Sequence, residues 1–233
     1  MSETISLSPD TKLVSFDLWL TLIKSDGRTF KTLRNAMLQA AFAPDKDVKT
    51  FDVMVREQDK QADRIAEERG RDVMFEERVR MVAKAAEAPQ PSADLLDYFY
   101  SEQTDLFKRY PPVLIDPKTP DHLARLAEEY QLAVVSNTGF IHGKEMRGAL
   151  EHLEIGQYFS HLIFSNEVGY AKPDARIYNS LLDASGYQPD QVTHIGDNLR
   201  ADVAGPQALG MHAIHFTDSS VLERLVATTG VEV

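Results

Sequence analysis

Short apolar runs alternate with helical patterns along most of this chain. The first run, Lys12–Trp19 (KLVSFDLW), lies between the turn-forming sequences SPDT and KSDG, which favours a buried strand over a helix. Four similar runs follow, each ending in a turn and most preceding a helix-period pattern. Because parallel strands are joined by long crossovers, this alternation predicts an α/β fold with a parallel sheet and helices on both faces. The later runs are QLAVVS (131–136), HLIFS (161–165), QVTHIG (191–196) and HAIHF (212–216).

A segment of different character, residues 25–110, separates the first strand from the second. It contains helix-period apolar positions and no strand pattern, with breaks at Gly70 and at PQPS (89–92). Pro111 and Pro112 end this region, because proline cannot continue a helix. The sequence therefore predicts a four-helix insertion into an α/β core. Its four apolar stripes are Leu33, Met37 and Ala41; Phe51, Met54, Val55, Ala62 and Ile65; Val79, Val82 and Ala86; and Leu95, Phe99 and Leu106.

Composition excludes several classes of function. A formal net charge of -11 gives no general attraction for nucleic acid or anionic lipid, and no local basic patch is evident. The chain has no cysteine, so disulfides, thiolate nucleophiles and zinc-thiolate sites are excluded. The sequence shows no signal-peptide pattern and no apolar stretch of membrane-spanning length. We therefore expect a cytoplasmic protein without nucleic-acid or membrane partners, whose oligomeric state the sequence does not indicate.

Chemically reactive side chains follow the predicted strands where those strands end. In an open parallel α/β sheet, ligands bind at the carboxyl ends of the strands, so these side chains should meet at one edge. They combine carboxylates, hydroxyls, an amide and one ammonium group. In chain order they are Asp17 and Thr21, Ser136 and Asn137, Lys172 in GYAKPD, and Asp197 and Asp202.

These groups suit a carboxylate nucleophile that acts on an anionic substrate beside a hard divalent cation. Asp17 would attack a phosphoryl group and form an aspartyl-phosphate, which divides one difficult displacement into two easier steps. Mg²⁺ held by carboxylates and carbonyls would reduce the repulsion between nucleophile and substrate. Lys172 and the hydroxyls would stabilise charge on the transferring oxygens. The residues alone therefore predict a phosphoryl-transfer site.

Four motifs carry a resemblance to a known family. They are FDLWLTL, VVSN, YAKPD and IGDNLRAD, in this order along essentially the whole chain. With them the sequence resembles the haloacid dehalogenase superfamily of hydrolases. The resemblance implies a Rossmann-like three-layer core with a parallel sheet, formed by residues 1–24 and 111–233. It also implies that residues 25–110 form an inserted all-helical cap domain.

The resemblance also implies roles for the candidate site residues. Asp17 would be the nucleophile, and Thr21, Ser136 and Lys172 would complete the catalytic set that holds the anion. Mg²⁺ would be bound by Asp17, the backbone carbonyl of Trp19 and Asp197. Asp202 would lie close behind, where it binds a metal-bound water or orients the surrounding ligands. The substrate-binding residues would be Trp19, Ser136, Asn137 and Lys172.

Trp19 departs from the usual pattern of the family's phosphatases. Those enzymes usually carry a second aspartate at this position, which protonates the leaving alkoxide and activates water. An indole can do neither, and general acid–base catalysis contributes roughly 10²–10⁴-fold in rate. His142, Asp26 or a side chain of the cap would have to take over this task. A substrate with a good leaving group, such as an acyl or aryl phosphate, would not need it.

Two other functions are compatible with the sequence. The family's dehalogenases lack the second aspartate, often have an aromatic residue there, and release halide without a metal. They require an arginine for the substrate carboxylate and halide, for which Arg34 and Arg56 are the candidates. The acidic pattern at Asp197 and Asp202 favours a Mg²⁺-dependent phosphohydrolase or phosphotransferase acting on a small phosphorylated metabolite. A weakly active or non-catalytic binding protein is the third possibility.

Overall fold

The predicted parallel sheet is present. The computed structural model describes residues 5–26 and 29–228. Its main sheet has five strands in the order β5-β4-β1-β6-β7, and every neighbouring pair is parallel. Helices cover both faces, so the predicted α/β class is confirmed. The main strands are β1 (Leu13–Phe16), β4 (Gln131–Ser136), β5 (Phe159–Phe164), β6 (Val192–Gly196) and β7 (His212–His215).

A second, two-stranded sheet was not predicted from the sequence. Strand β2 (Ile23–Lys24) pairs antiparallel with β3 (Val113–Leu114). Each strand has only two residues, which is too short for an alternating pattern to emerge. This ribbon lies where the chain leaves the core and where it returns. It joins the two ends of the helical insertion.

Four helices form the insertion, as predicted, and six other helices belong to the rest of the described chain. The insertion contains the longest helix, and Asp47 caps its first turn by accepting a hydrogen bond from the amide of Thr50 at 3.0 Å. The exact boundaries of the two proposed domains stay predictions. The helices are α1 (Thr29–Phe42), α2 (Val48–Arg69), α3 (Phe75–Ala85), α4 (Ala93–Arg109), α5 (Thr119–Ala127), α6 (Gly143–His152), α7 (Ser165–Val168), α8 (Ala175–Ser185), α9 (Gly205–Gln207) and α10 (Ser220–Thr228), with a π-helical segment at Leu199–Ala204.

The inward face predicted for α1 is wrong. Leu33 and Ala41 are exposed, whereas the buried apolar residues are Phe30, Leu38 and Phe42. The same buried face carries polar side chains, among them Arg34. An apolar stripe is a poor guide when polar residues share the buried face, because their burial depends on partners elsewhere in the chain.

Separate apolar clusters stabilise the sheet and the insertion. Phe16 and Phe164 belong to the cluster on one face of the sheet, whereas Phe51 and Phe99 belong to a cluster among the inserted helices. Phe140, in the loop after β4, packs into the second cluster. This residue therefore ties the loop at the edge of the sheet to the cap. None of the described helices combines the length and apolar composition needed to cross a lipid bilayer.

Truncating Phe99 should weaken the cap. Its side chain is 1% exposed and its ring lies 5.6 Å, centroid to centroid, from that of Phe42. Because Phe99→Ala removes a packed ring and leaves a cavity, we expect the free energy of unfolding to fall by about 3–5 kcal/mol. Urea denaturation measures this change. The neighbouring Tyr98 is 52% exposed, so Tyr98→Ala is the matched control, with an expected change within about 0.5 kcal/mol.

Candidate active site

Asp17 lies directly beyond the end of β1, at the carboxyl edge of the sheet. Its backbone amide donates to the carbonyl of Ile195 at 2.9 Å, which holds it beside β6. Its Oδ1 accepts hydrogen bonds from Ser136 Oγ and from Lys172 Nζ, both at 2.9 Å. Oδ2 accepts none from any described residue. The side chain is thus fixed through one oxygen, and the other is available for chemistry.

Lys172 joins two acidic residues in the interior. Its ammonium group lies 2.9 Å from Asp17 Oδ1 and 2.6 Å from Asp202 Oδ1, and the residue is 2% exposed. Burial by itself lowers the pKa of Lys172, but the two carboxylates outweigh it and the pKa is raised. Burial raises the pKa of Asp17, an effect that Lys172 opposes and Asp202 reinforces. The cation is therefore the charge that allows the two acids to stay close together.

Asp202 is held by three donors. Besides Lys172, the imidazole Nε2 of His194 lies 3.2 Å from Oδ1, and the amide of Asn198 donates to Oδ2 at 3.0 Å. Although burial opposes it, Lys172 and His194 hold the pKa of Asp202 below its usual value. Burial lowers the pKa of His194, so the ring is neutral: its Nε2–H donates to Asp202 and its Nδ1 accepts from Ser15 Oγ at 2.8 Å. His194 thus orients Asp202, a role that no motif in the sequence indicates.

Three carboxylates could bind a metal ion. One oxygen from each of Asp17, Asp197 and Asp202 lies within 4.8 Å of the others. Burial and Asp202 raise the pKa of Asp197, and the positive charge of Lys172 offsets this only in part. The carbonyl of Trp19 accepts no hydrogen bond from a described backbone amide. An all-oxygen donor set with excess negative charge fits Mg²⁺.

Asn137 makes side-chain hydrogen bonds at the site and lines its cavity, whereas the Thr21 hydroxyl makes none to a described residue. The Asn137 amide group clamps the loop of Lys172, because its Oδ1 accepts from the Lys172 amide at 2.8 Å and its Nδ2 donates to the Lys172 carbonyl at 3.1 Å. Thr21 is buried, but its hydroxyl has no hydrogen-bond partner among the described residues and is not in the cavity wall. The structure therefore brings together the predicted site residues except Thr21.

A cavity of about 620 Å³ opens from these residues toward the insertion. Trp19 lies in its wall beside Asp17 and Lys172, whereas His142 and Asp26 do not. These two residues are thus not placed to replace the missing acid. The cap supplies four acidic side chains instead, all of which are engaged: Asp59 and Asp63 with Arg78, Glu67 with Arg200, and Asp72 with Thr138 and Ser165.

A family model described as a haloacid dehalogenase-like hydrolase matches residues 11–210. The chain belongs to this family. The match includes all the motifs that form the site, from Asp17 to Asp202, together with the inserted helices. The carboxylates and Lys172 at the edge of the sheet are therefore parts of a hydrolase of this family.

Curated relatives of this hydrolase include phosphatases. Phosphoserine phosphatase from Thermus thermophilus is 31% identical over 142 residues, which cover 60% of this chain and 53% of that protein. Haloacid dehalogenase-like hydrolase domain-containing protein 3 from Homo sapiens is 32% identical over 96 residues, which cover 41% of this chain and 37% of that protein. The hydrolase thus spans about half or less of these relatives, which show kinship and do not assign a substrate.

Solved structures of a HAD-hydrolase and of a dehalogenase share the fold. The magnesium-bound HAD-hydrolase YfnB from Bacillus subtilis aligns with a TM-score of 0.66 at 19% identity, covering 87% of each chain. A 2-haloacid dehalogenase from Pseudomonas syringae pv. Tomato DC3000 aligns with a TM-score of 0.61 at 22% identity, covering 88% of this hydrolase and 86% of that chain. At such identities the likeness shows the fold alone.

The cap is attached to the site by contacts that the sequence did not reveal. Asp72, between α2 and α3, accepts hydrogen bonds from Thr138 Oγ1 at 2.9 Å and from Ser165 Oγ at 2.6 Å. The amide of Ala171 donates to the carbonyl of Gly70 at 3.2 Å, next to Lys172. No local pattern marks these residues, because their partners lie far away in the sequence. The α2–α3 loop is thereby fixed against the edge of the sheet.

Replacing Lys172 by methionine should destabilise the hydrolase in a pH-dependent way. Without the cation, Asp17 and Asp202 face each other in the interior, and their pKa values in the folded protein rise above those in the unfolded chain. The folded form then binds extra protons, so stability falls as the pH rises through these raised pKa values. We expect a loss of about 3 kcal/mol at pH 8 and a smaller loss at pH 5.5.

Urea denaturation of parent and variant at the two pH values measures this difference. Lys144→Met, at an exposed position of α6, controls for the loss of one positive charge. A deficit of equal size at pH 5.5 and pH 8 would mean that Lys172 contributes packing and not charge balance.

Proposed function

We propose that this hydrolase is a Mg²⁺-dependent phosphohydrolase that acts on a small phosphorylated metabolite through an aspartyl-phosphate. The observation that carries the proposal is the cluster of Asp17, Asp197 and Asp202, in which Asp17 keeps one oxygen without a hydrogen bond. Attack on carbon by a carboxylate needs no second and third acid nearby. Attack on a phosphoryl group beside a metal ion does need such acids, because they hold the metal. The curated phosphatase relative supports the same chemistry.

In the first step, Asp17 Oδ2 forms a bond to phosphorus as the bond from phosphorus to the ester oxygen breaks. Ser136 and Lys172, which already donate to Asp17 Oδ1, would hold that carboxylate and neutralise charge on the transferring group. Bound Mg²⁺ would supply electrostatic stabilisation of the phosphoryl oxygens, with Asp17, Asp197 and the Trp19 carbonyl as its ligands. In the second step, water attacks phosphorus and the bond from phosphorus to Asp17 Oδ2 breaks. The Asp17 carboxylate is restored, and phosphate leaves with both protons of the water.

The leaving group must depart without a proton from the position of Trp19. An indole N–H donates a hydrogen bond and does not titrate usefully. The acids of the cap that line the cavity are already engaged with Arg78, Arg200 or hydroxyl groups. Alcohols of high pKa would thus leave slowly. We therefore place acyl and aryl phosphates, which leave as stabilised anions, ahead of alkyl phosphates.

Trp19 in the cavity wall favours one competing function, the metal-free release of halide from a 2-haloacid. A halide needs no proton, and an aromatic wall suits the apolar part of such a substrate. A metal-free dehalogenase, however, would have no use for the negative charge that Asp197 and Asp202 place beside Asp17. A non-catalytic binding protein, the third possibility, would have no need for the buried Lys172 between two acids.

Hydrolysis of phenyl phosphate in the presence of Mg²⁺ tests the proposed reaction. We expect Asp17→Asn to lower kcat by about 10⁴-fold or more, because the nucleophile is lost. Asp197→Asn should abolish Mg²⁺ binding, measured by calorimetry on metal-stripped protein, and with it the activity. The control is Asp183→Asn, an exposed acid on α8. Chloride release from 2-chloropropionate that needs no Mg²⁺ and survives Asp197→Asn would instead identify a dehalogenase.

Restoring an acid at position 19 should accelerate the slow substrates. Trp19→Asp is expected to raise kcat for an alkyl phosphate by about 10²-fold, within the range that general acid–base catalysis provides. Trp19→Asn has similar size and no titratable group, so the comparison of the two variants isolates the proton. Thermal unfolding confirms that both are folded. Equal rates in the two variants would show that another group already protonates the leaving oxygen.

A further inference from the structure

Arg34 is a buried cation in the cap with unused hydrogen-bond donors. Its side chain belongs to the inward face of α1 and the residue is 5% exposed. Nε and Nη2 both donate to one acceptor, Asn35 Oδ1, at 3.2 and 3.0 Å. A guanidinium has five N–H donors, so three of them, including both on Nη1, have no acceptor among the described residues.

The charge of Arg34 also lacks a partner. Within the described part of the chain, no carboxylate oxygen lies within 4.0 Å of its guanidinium. Burial lowers the pKa of Arg34, Arg78 lowers it further, and the more distant Asp59 and Asp52 offset this only in part. A buried charge without a partner costs several kcal/mol, so such a group is expected to have one when the protein is at work.

The neighbouring Arg78 shows the opposite arrangement. It is 3% exposed, and its guanidinium forms ion pairs with Asp59, Asp63 and Asp72. The cap therefore supplies three carboxylates to one buried arginine and none to the other. Both guanidinium groups lie close to the ring of Phe140, so they share one region of the cap. A shortage of acidic residues in that region therefore does not explain the difference.

The position of Arg34 connects it to the substrate cavity. The guanidinium carbon is 4.3 Å from the centre of the Phe140 ring and 5.9 Å from that of Phe30, so two aromatic faces hold it. Arg34 and both rings line the same cavity as Asp17 and Lys172. Free donors, an unbalanced charge and aromatic support thus meet in the wall of the cavity that would receive the substrate.

From this geometry we infer that Arg34 binds a carboxylate of the substrate, so that the substrate class is phosphorylated carboxylic acids. The inference rests on the proposed phosphohydrolase function, since Asp17 takes the phosphoryl end. Arg34 then determines specificity at the other end of the cavity, through the donors on Nη1 and Nη2. Phosphate esters without a carboxylate, such as simple sugar phosphates, lack the group that this arginine would recognise.

A carboxylate fits this position better than a second phosphate. The planar guanidinium fork matches a carboxylate through two parallel hydrogen bonds. Seven acidic and five basic side chains line the cavity. A singly charged group therefore meets less repulsion there than a doubly charged one. The bound carboxylate would give Arg34 the counter-charge that no described residue of the cap provides.

The test compares phenyl phosphate with 2-, 3- and 4-carboxyphenyl phosphate as substrates in the presence of Mg²⁺. The quantity measured is the preference, defined as kcat/KM for the best carboxylated isomer divided by kcat/KM for phenyl phosphate. We expect Arg34→Gln to lower this preference by about 10- to 100-fold, the size of a lost charge-assisted hydrogen-bond pair. Effects of the carboxyl group on the leaving group cancel, because they are the same in both enzymes.

Two further variants sharpen the comparison. Arg34→Lys keeps the charge and loses the fork, so its preference should lie between those of the parent and Arg34→Gln. Arg64→Gln removes an exposed arginine from α2 and should keep the preference and the basal activity of the parent. A parent without preference for any isomer, or an unchanged preference in Arg34→Gln, would overturn the inference.

A measurement on the parent protein alone covers the case in which the Arg34 variants do not fold. Phenylphosphonate and the three carboxyphenylphosphonates cannot be hydrolysed, and calorimetry with Mg²⁺ compares their affinities. At least about 10-fold tighter binding of one carboxylated isomer is expected, and equal binding would refute the carboxylate site. If none of the four phosphates is hydrolysed and none of the four phosphonates binds, the proposed function itself fails. Hydrolysis of phenyl phosphate without a carboxylate preference removes only the role of Arg34.

Discussion

The buried contact of Lys172 with Asp17 and Asp202 is the interaction on which the rest of this hydrolase depends. Two carboxylates at 2.9 and 2.6 Å from one ammonium group would otherwise repel each other in a medium of low dielectric constant. The arrangement draws on three separate parts of the chain, which only the parallel sheet brings to one edge. His194 then positions Asp202 through a hydrogen bond, and Ser15 positions His194. The fold thus serves to hold one cation between acids that lie far apart in the sequence.

The cap is held against this edge by polar contacts that are themselves buried. Asp72 accepts from Thr138 and Ser165, and Gln103 donates to the carbonyl of Phe140 at 2.7 Å. Each contact reaches the loop after β4 or the end of β5. Buried groups of this kind are costly to separate, because each would lose its partner in the interior. The shape of the cavity is therefore set jointly by the core and the cap.

The cavity divides into two chemical ends. Near the sheet, Asp17, Asp197 and Lys172 provide the acids and the cation that suit phosphoryl transfer. Toward the cap, Arg34 lies over Phe140 with free donors. Trp19 lines the same cavity with an indole in place of a titratable group, which limits the leaving groups that the site can expel. A phosphorylated acid with a stabilised leaving group, the substrate that we propose, would meet all three conditions.

Much of this protein can be predicted from the sequence, because strands, turns and the four motifs are local patterns. The five runs of Val, Ile, Leu and Phe predicted the parallel sheet, and the residues at their ends predicted a site at its edge. The inward face of α1 and the role of His194 could not be predicted from local patterns. Burial of Arg34 or Asp72 depends on aromatic rings and hydroxyl groups contributed by distant segments. The sequence by itself thus determined the family, the sheet and the reactive groups. Only the tertiary structure decided which polar side chains are buried and which of their charges lacks a partner, since these properties arise between segments and not within them.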